Sequence, residues 1–69
     1  MEISARNVLT GTVHKIVPGA VNSEVTLLLT GGQEITAVIT KASVERLKLA
    51  QGKTAYAVVK ASDVMVGVD

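Results

Sequence analysis

The stretch EVTLLLTGGQEITAVIT, residues 24–40, decides the fold of this chain. It contains two runs rich in Val, Ile and Thr, which fit the pleated surface of a β-sheet. Between the two runs lies Gly31-Gly32, a pair that suits a tight hairpin turn. We therefore predict strands over residues 24–30 and 33–40, paired with each other through this turn.

Similar runs lie on both sides of this hairpin and predict further strands over residues 8–17, 54–59 and 64–68. The segment 41–48 differs, because Val44 and Leu47 are three residues apart and predict one apolar helical face. Thr40 is a suitable N-cap for this helix. The predicted fold class is all-β with one short helix. We predict an OB-like five-stranded barrel, closed or nearly closed, because closure limits exposed sheet edges.

The bulk composition predicts a single domain over residues 1–69 that buries part of its apolar surface between subunits. The chain is 48% hydrophobic with a mean hydropathy of +0.42, and it has no cysteine for disulfide support. Chains of this size commonly need such support or oligomerisation. Apolar side chains spread over the surface are the alternative interpretation.

Charge and aromatic content argue against a nucleic-acid partner. The formal net charge is +1, and Tyr56 is the one aromatic residue, whereas single-strand binding depends on basic grooves and aromatic stacking. No apolar run reaches the roughly 18 residues that a membrane span needs. Met1-Glu2 leads directly into polar residues without a signal-peptide pattern, which predicts a cytoplasmic protein.

The sequence offers no enzymatic constellation. There is no cysteine nucleophile, and His14 lies in an apolar-rich strand without Ser or Asp partners in a recognisable motif. The six carboxylates are scattered singly, and a lone histidine cannot form a site for a bare metal cation. We therefore expect a binding protein and not an enzyme.

Hydrogen-bond donors are concentrated in three short segments, which together suit an anion. Ser4 and Arg6 lie two residues apart, as do Lys60 and Ser62, and an extended segment would put such pairs on one side. Thr40 and Ser43 lie at the start of the predicted helix, where free N–H groups also favour anions. On these residues alone, a solvated surface explains the segments better than a ligand site does.

The turn Pro18-Gly19-Ala20-Val21-Asn22 is a second candidate for anion binding. Pro followed by Gly suits the two central positions of a type II turn. Turns can direct successive N–H groups into one concavity that holds an anion. An ordinary hairpin turn without a ligand explains the same residues.

Four motifs together resemble the molbindin (Mop) family, whose module is of the TOBE type. They are ISARN at residues 3–7, GAVNSEV at 19–25, IT at 39–40 with SV at 43–44, and VKASDVM at 59–65. The resemblance covers essentially the whole chain, in register. It implies a barrel that assembles as a hexamer, a trimer of dimers. Its implied ligand is molybdate or tungstate, bound between subunits for intracellular storage and molybdenum homeostasis.

The resemblance also assigns residues to two classes of oxyanion site. The first site comprises Ser4, Arg6, Thr40, Ser43, Lys60, Ala61 and Ser62. The second site, on the threefold axis, comprises Ala20, Val21 and Asn22. The family module also occurs in molybdate-responsive regulators, so a sensing or interaction module is the alternative function. An OB-fold nucleic-acid module is a further alternative that rests on the fold alone. The sequence shows no obvious pocket for a molybdopterin.

Overall fold

The computed structural model describes residues 1–69 and contains one antiparallel sheet. Its order is β3-β2-β1-β4. The strands are β1 Asn7–Pro18, β2 Asn22–Leu29, β3 Glu34–Thr40 and β4 Thr54–Val59; one helix, α1, spans Lys41–Arg46, and a 3-10 turn spans Ala61–Asp63. The all-β class with one short helix is confirmed, although the strand ends differ from the predicted ones by one or two residues.

β1 curls the sheet because it pairs with a different neighbour at each end. Its first half pairs with β4, and its second half pairs with β2, so that Gly11 and Thr12 have partners on both sides. The register with β2 shifts between Val13 and Lys15, which leaves His14 as the extra residue of a β-bulge. A bulge bends its strand and increases the local twist. The resulting sheet is half of a barrel.

Gly11 is required at the point where β1 bends. A Cβ atom on this residue would lie 2.7 Å from the carbonyl oxygen of Leu28 on β2. No other residue type fits at that separation unless the two strands move apart.

The core is small. Val13, Val25 and Leu27 are the buried hydrophobic residues, and six residues of the whole chain are buried. The partly buried side chains around them come from β1, β3, β4, α1 and the segment after α1: Ile16, Ile35, Ile39, Val44, Leu49, Ala55 and Ala57. Many large apolar side chains therefore remain in contact with solvent in a single chain.

The predicted hairpin at Gly31-Gly32 is confirmed. The amide of Leu29 donates to the carbonyl of Gln33 at 2.7 Å, and the amide of Gly32 donates to Leu29 at 2.9 Å. Gly32 has φ of 89°, a conformation that favours glycine because it has no Cβ.

α1 is shorter than predicted because Lys48 adopts a left-handed backbone conformation, with φ of 55°. The amide of Lys48 donates to Glu45, and that of Leu49 donates to Val44, each at 3.1 Å. These two bonds form a Schellman motif, which ends a helix. Leu49 thereby packs against the core, whereas Leu47 is 50% exposed, so the prediction that Leu47 faces the core is wrong.

The predicted fifth strand and the closed barrel are not present in the single chain. Residues 64–68 lie outside every strand and helix, and β3 and β4 are left as open edges of the sheet. A strand needs a neighbour to bond to, and these residues have none within their own chain. No helix here has the length and apolar character required to cross a membrane.

Candidate functional site

The structure gathers the ends of two segments around one cavity of about 480 Å³. We call it the donor cavity. Its lining residues are Ile3, Ser4, Ala5, Arg6, Lys60, Ala61 and Ser62. Five of the seven residues predicted for the first oxyanion site are therefore neighbours in a single chain.

Strand pairing explains why these two segments meet. Asn7 is the first residue of β1 and lies opposite Val59, the last residue of β4. Arg6 and Lys60 are the next residues beyond this pair, so the two segments leave the sheet at the same corner. The 3-10 turn then begins, with the amide of Asp63 donating to the carbonyl of Lys60 at 2.9 Å. The turn keeps Ala61 and Ser62 beside the cavity.

The donor cavity combines two cations with two hydroxyl groups and has no carboxylate in its lining. The one basic side chain within 4 Å of a carboxylate is His14, whose Nε2 lies 3.7 Å from Glu34 Oε1, so neither Arg6 nor Lys60 has a carboxylate partner. Neither side chain makes a hydrogen bond within the chain. A guanidinium and an ammonium group supply donors only. The cavity therefore suits a ligand that offers negative charge and acceptor oxygens.

Thr40 and Ser43 do not line this cavity. The Thr40 hydroxyl caps α1, because its oxygen accepts a hydrogen bond from the Ser43 amide at 3.0 Å. The same hydroxyl donates to the Ser43 hydroxyl oxygen at 2.8 Å. The predicted N-cap is thus confirmed. This arrangement leaves the hydrogen of the Ser43 hydroxyl free to donate elsewhere.

The turn that contains Ala20, Val21 and Asn22 lies beside the start of α1. Asn22 pairs with Thr40 across β2 and β3, and the carbonyl of Val21 accepts a hydrogen bond from the Lys41 amide at 2.8 Å. Within one chain, the ten predicted residues thus form two clusters. One is the donor cavity, and the other joins Thr40 and Ser43 to the turn.

The predicted type II turn at Pro18-Gly19 is wrong. That turn type needs a positive φ at Gly19, and the glycines with positive φ are Gly32 and Gly52. Gly19 is required for a different reason, since a Cβ there would collide with the carbonyl oxygen of Asn22. The close approach of two backbone segments, and not the handedness of the turn, selects glycine.

Sequence reasoning missed Ile3 and Ala5, which also line the donor cavity. Alternation along an extended segment puts them on the side opposite Ser4 and Arg6. No pattern in the sequence would have indicated them, because residues 1–5 belong to no strand or helix. The structure contains no cluster of three metal-ligating side chains from His, Cys, Asp and Glu.

The chain belongs to the TOBE domain family, whose model matches residues 3–66. It is 46% identical, over the full length of both chains, to a "Probable molybdenum-pterin-binding protein" of Haemophilus influenzae. The resemblance to the Mop family is therefore confirmed.

Two solved structures have the same fold. MopII from Clostridium pasteurianum matches with a TM-score of 0.93 and 45% identity, covering 97% of this chain and all of that one. ModG, described as a cytoplasmic molybdate-binding protein and solved with molybdate bound, matches with a TM-score of 0.96 and 56% identity. This chain is covered completely in that match and spans 49% of the ModG chain.

Proposed function

We propose that this protein binds molybdate or tungstate in the donor cavity and that it stores these oxyanions in the cytoplasm for molybdenum homeostasis. The observation that carries the proposal is the meeting of Arg6 and Lys60 in one cavity without a carboxylate. The names of its relatives, which include a molybdate-binding protein solved with its ligand, support the same chemistry.

The chemistry of the ligand matches that of the cavity. A tetrahedral dianion has four oxygen acceptors and no donor, so it requires a shell of donors around it. Arg6 and Lys60 balance its two charges through charge-assisted hydrogen bonds, which are about twice as strong as neutral ones. Ser4, Ser62 and the amide of Ala61 supply donors in the remaining directions. Selection against sulfate then depends on the size of the cavity, since sulfate has the same charge and shape.

We propose that Thr40 and Ser43 complete the site from a second copy of the chain. In their own chain they lie with the turn near Asn22 and not with Arg6. The Ser43 hydroxyl has a free hydrogen, because the Thr40 hydroxyl donates to its oxygen. A contact between copies would bring this donor to a neighbouring donor cavity. Ligand binding would then stabilise the assembly by mass action.

The exposed apolar surface supports such an assembly, which we propose to be a hexamer built as a trimer of dimers. Val38 is 63% exposed on β3, and Tyr56 is 53% exposed on β4. Apolar surface on this scale is typical of contact regions between subunits. The ring of Tyr56 is not buried within its own chain, so it is available for such a contact.

The second class of site is proposed at the turn formed by Ala20, Val21 and Asn22. Val21 is 72% exposed, so three copies of the turn can meet on a threefold axis without rearrangement of the fold. Since the residues carry no charge, backbone amides and the Asn22 side-chain amide would supply the donors.

Titration calorimetry with molybdate, tungstate and sulfate tests the proposal. We expect binding of molybdate and tungstate, with sulfate weaker than both. Native mass spectrometry in the same solutions reports the number of subunits and of bound oxyanions together. Equal binding of all three anions, or of none, would contradict a selective store.

A pull-down from cells with and without molybdate separates storage from sensing, because a sensor should gain or lose a protein partner.

A further inference from the structure

The backbone of Lys53 is fixed to the sheet. Lys53 lies directly before β4, in the loop that follows α1. Its amide donates to the carbonyl of Ala50 at 3.0 Å, and its carbonyl accepts a hydrogen bond from the amide of Val13 at 2.8 Å. Val13 is a core residue with 1% exposure. The position of Lys53 is therefore set by a bond to the centre of β1.

The side chain of Lys53 binds the end of α1. Its Nζ donates to the carbonyl oxygen of Leu47 at 2.8 Å and to that of Lys48 at 3.2 Å. A helix leaves carbonyl acceptors without partners at this end, and a positive charge there interacts favourably with the helix dipole. Lys53 is the one lysine whose ammonium group makes a hydrogen bond within the chain.

A continuous series of hydrogen bonds connects Lys53 with the N-cap of α1. Lys53 Nζ donates to the Leu47 carbonyl, and the Leu47 amide donates to the Ser43 carbonyl at 2.9 Å. The Ser43 amide donates to Thr40 Oγ1 at 3.0 Å, and that hydroxyl donates to Ser43 Oγ at 2.8 Å. Hydrogen bonds in such a series polarise and strengthen one another. Both ends of the helix are thus linked through Ser43.

α1 depends on these end contacts because it is short and poorly covered. It has six residues, whereas isolated helices below about 12–15 residues are marginal in water. None of its residues is buried, and Val44 is its one side chain packed against the core. The position of the helix therefore depends on Thr40 at one end and on Lys53 at the other.

We infer that Lys53 is a positioning residue for the oxyanion site and that it acts through Ser43. Ser43 is the donor assigned above to the donor cavity of a second copy, so this role rests on the proposed function. A hydroxyl reaches a ligand across an interface only when its own helix stays in place. Lys53 does not line the donor cavity of its chain, and two carbonyls occupy its ammonium group. Its effect on the anion is therefore indirect.

Replacing Lys53 should weaken molybdate binding only while Ser43 is present. Lys53→Met keeps a long side chain and removes its donors. Titration calorimetry should show that K53M lowers the affinity about threefold to tenfold, within the range of coupling between residues of one network. The effect is modest because both bonds of Lys53 are exposed to solvent. In a Ser43→Ala background, K53M should change the affinity by less than about twofold.

Two further variants control for charge and for general stability. Lys53→Arg retains a donor and should restore most of the affinity. Lys48→Met removes the same charge from the same end of α1, where the Lys48 side chain makes no hydrogen bond, and should bind molybdate as the wild type does. An equal loss from K53M with and without Ser43 would overturn the inference. So would a loss in K48M as large as that in K53M.

Amide hydrogen exchange tests the same role without a ligand. In K53M the amides of Ser43 and Leu47 should exchange about threefold to tenfold faster, because their hydrogen bonds open when the helix end is released. Amides within β2 should keep their wild-type rates, and K53R should restore protection at Ser43 and Leu47. Unchanged exchange at these two amides, or an equal increase throughout β2, would overturn the positioning role.

The two measurements separate this role from the proposed function. If the wild type binds no molybdate, the proposed function fails, and exchange decides whether Lys53 fixes Ser43. If the wild type binds molybdate and K53M binds it equally well, the proposed function stands and the positioning role fails.

Discussion

Arg6 and Lys60 lie at the same corner of the sheet because Asn7 pairs with Val59 immediately before them. The two cations come from opposite ends of the sequence, and both line the donor cavity. Strand pairing between β1 and β4 therefore brings two like charges to the lining of one cavity. Under the proposed function, a dianion bound between them would offset both positive charges.

Removing either cation should weaken molybdate binding. We expect Arg6→Ala and Lys60→Ala each to lower the affinity by about tenfold to a hundredfold, the range for one lost hydrogen bond to a charged group. Titration calorimetry measures the change. Arg46→Ala is the matched control, because Arg46 lies in the last turn of α1, outside the cavity. Unchanged affinity in both site variants would remove the basis of the proposed function.

Substitutions at Thr40 and at Ser43 should affect stability and molybdate binding differently. Thr40→Val removes the N-cap oxygen that accepts from the Ser43 amide, so we expect a loss of about 1 kcal/mol in the free energy of unfolding. Ser43→Ala retains that bond and should leave stability nearly unchanged while it weakens molybdate binding. Urea unfolding at one protein concentration measures stability, and calorimetry measures affinity. Thr40→Ser should restore the cap. Equal destabilisation by T40V and S43A would show that the cap is not the source of the loss.

Gly11 should be intolerant of any side chain. The added methyl of Gly11→Ala would lie 2.7 Å from the Leu28 carbonyl oxygen, and we expect a cost of about 1–3 kcal/mol, as for overpacked sites. Gly31→Ala is the control, because no atom lies within 4 Å of the added group; its effect should stay within about 0.5 kcal/mol. Thermal unfolding ranks the two variants. Equal midpoints would mean that β1 and β2 separate without cost.

Lys48 should be replaceable by glycine with a gain in stability. Its φ of 55° lies in the left-handed region, where a Cβ is unfavourable. We expect Lys48→Gly to raise the free energy of unfolding by about 0.5–1 kcal/mol. Glycine avoids the steric penalty of the left-handed conformation, but part of this gain is offset because glycine increases the entropy of the unfolded chain. Lys48→Ala controls for loss of the side chain and should not stabilise. Urea unfolding measures both, and a K48G variant no more stable than K48A would contradict the Schellman interpretation.

Local patterns predicted much of the secondary structure. Gly31-Gly32 indicated a hairpin, and Thr40 indicated a helix start, because turns and caps depend on residues a few positions apart. The end of α1 was harder to predict. The expected signal is a glycine, and here Lys48 takes the left-handed position while Lys53 donates to the carbonyls of Leu47 and Lys48 at 2.8 and 3.2 Å.

The sequence showed which side chains could supply hydrogen-bond donors to the candidate site, but it did not show which of them lie together. Two-residue spacing indicated that Ser4 and Arg6 belong together. Only the register of β1 with β4 brings them to Lys60, and only the register of β2 with β3 puts Thr40 beside Asn22. Register is set by pairing between distant segments, which a short sequence window does not contain.

The sequence by itself determined which residues favour strands, where the hairpin and the helix begin, and which side chains are hydrogen-bond donors. These properties belong to single residues and their near neighbours. The tertiary structure decided that Gly19 serves a close backbone contact, that Leu49 and not Leu47 joins the core, and that residues 64–68 have no strand beside them. Such outcomes depend on which surfaces meet, and surfaces meet only after the chain has folded.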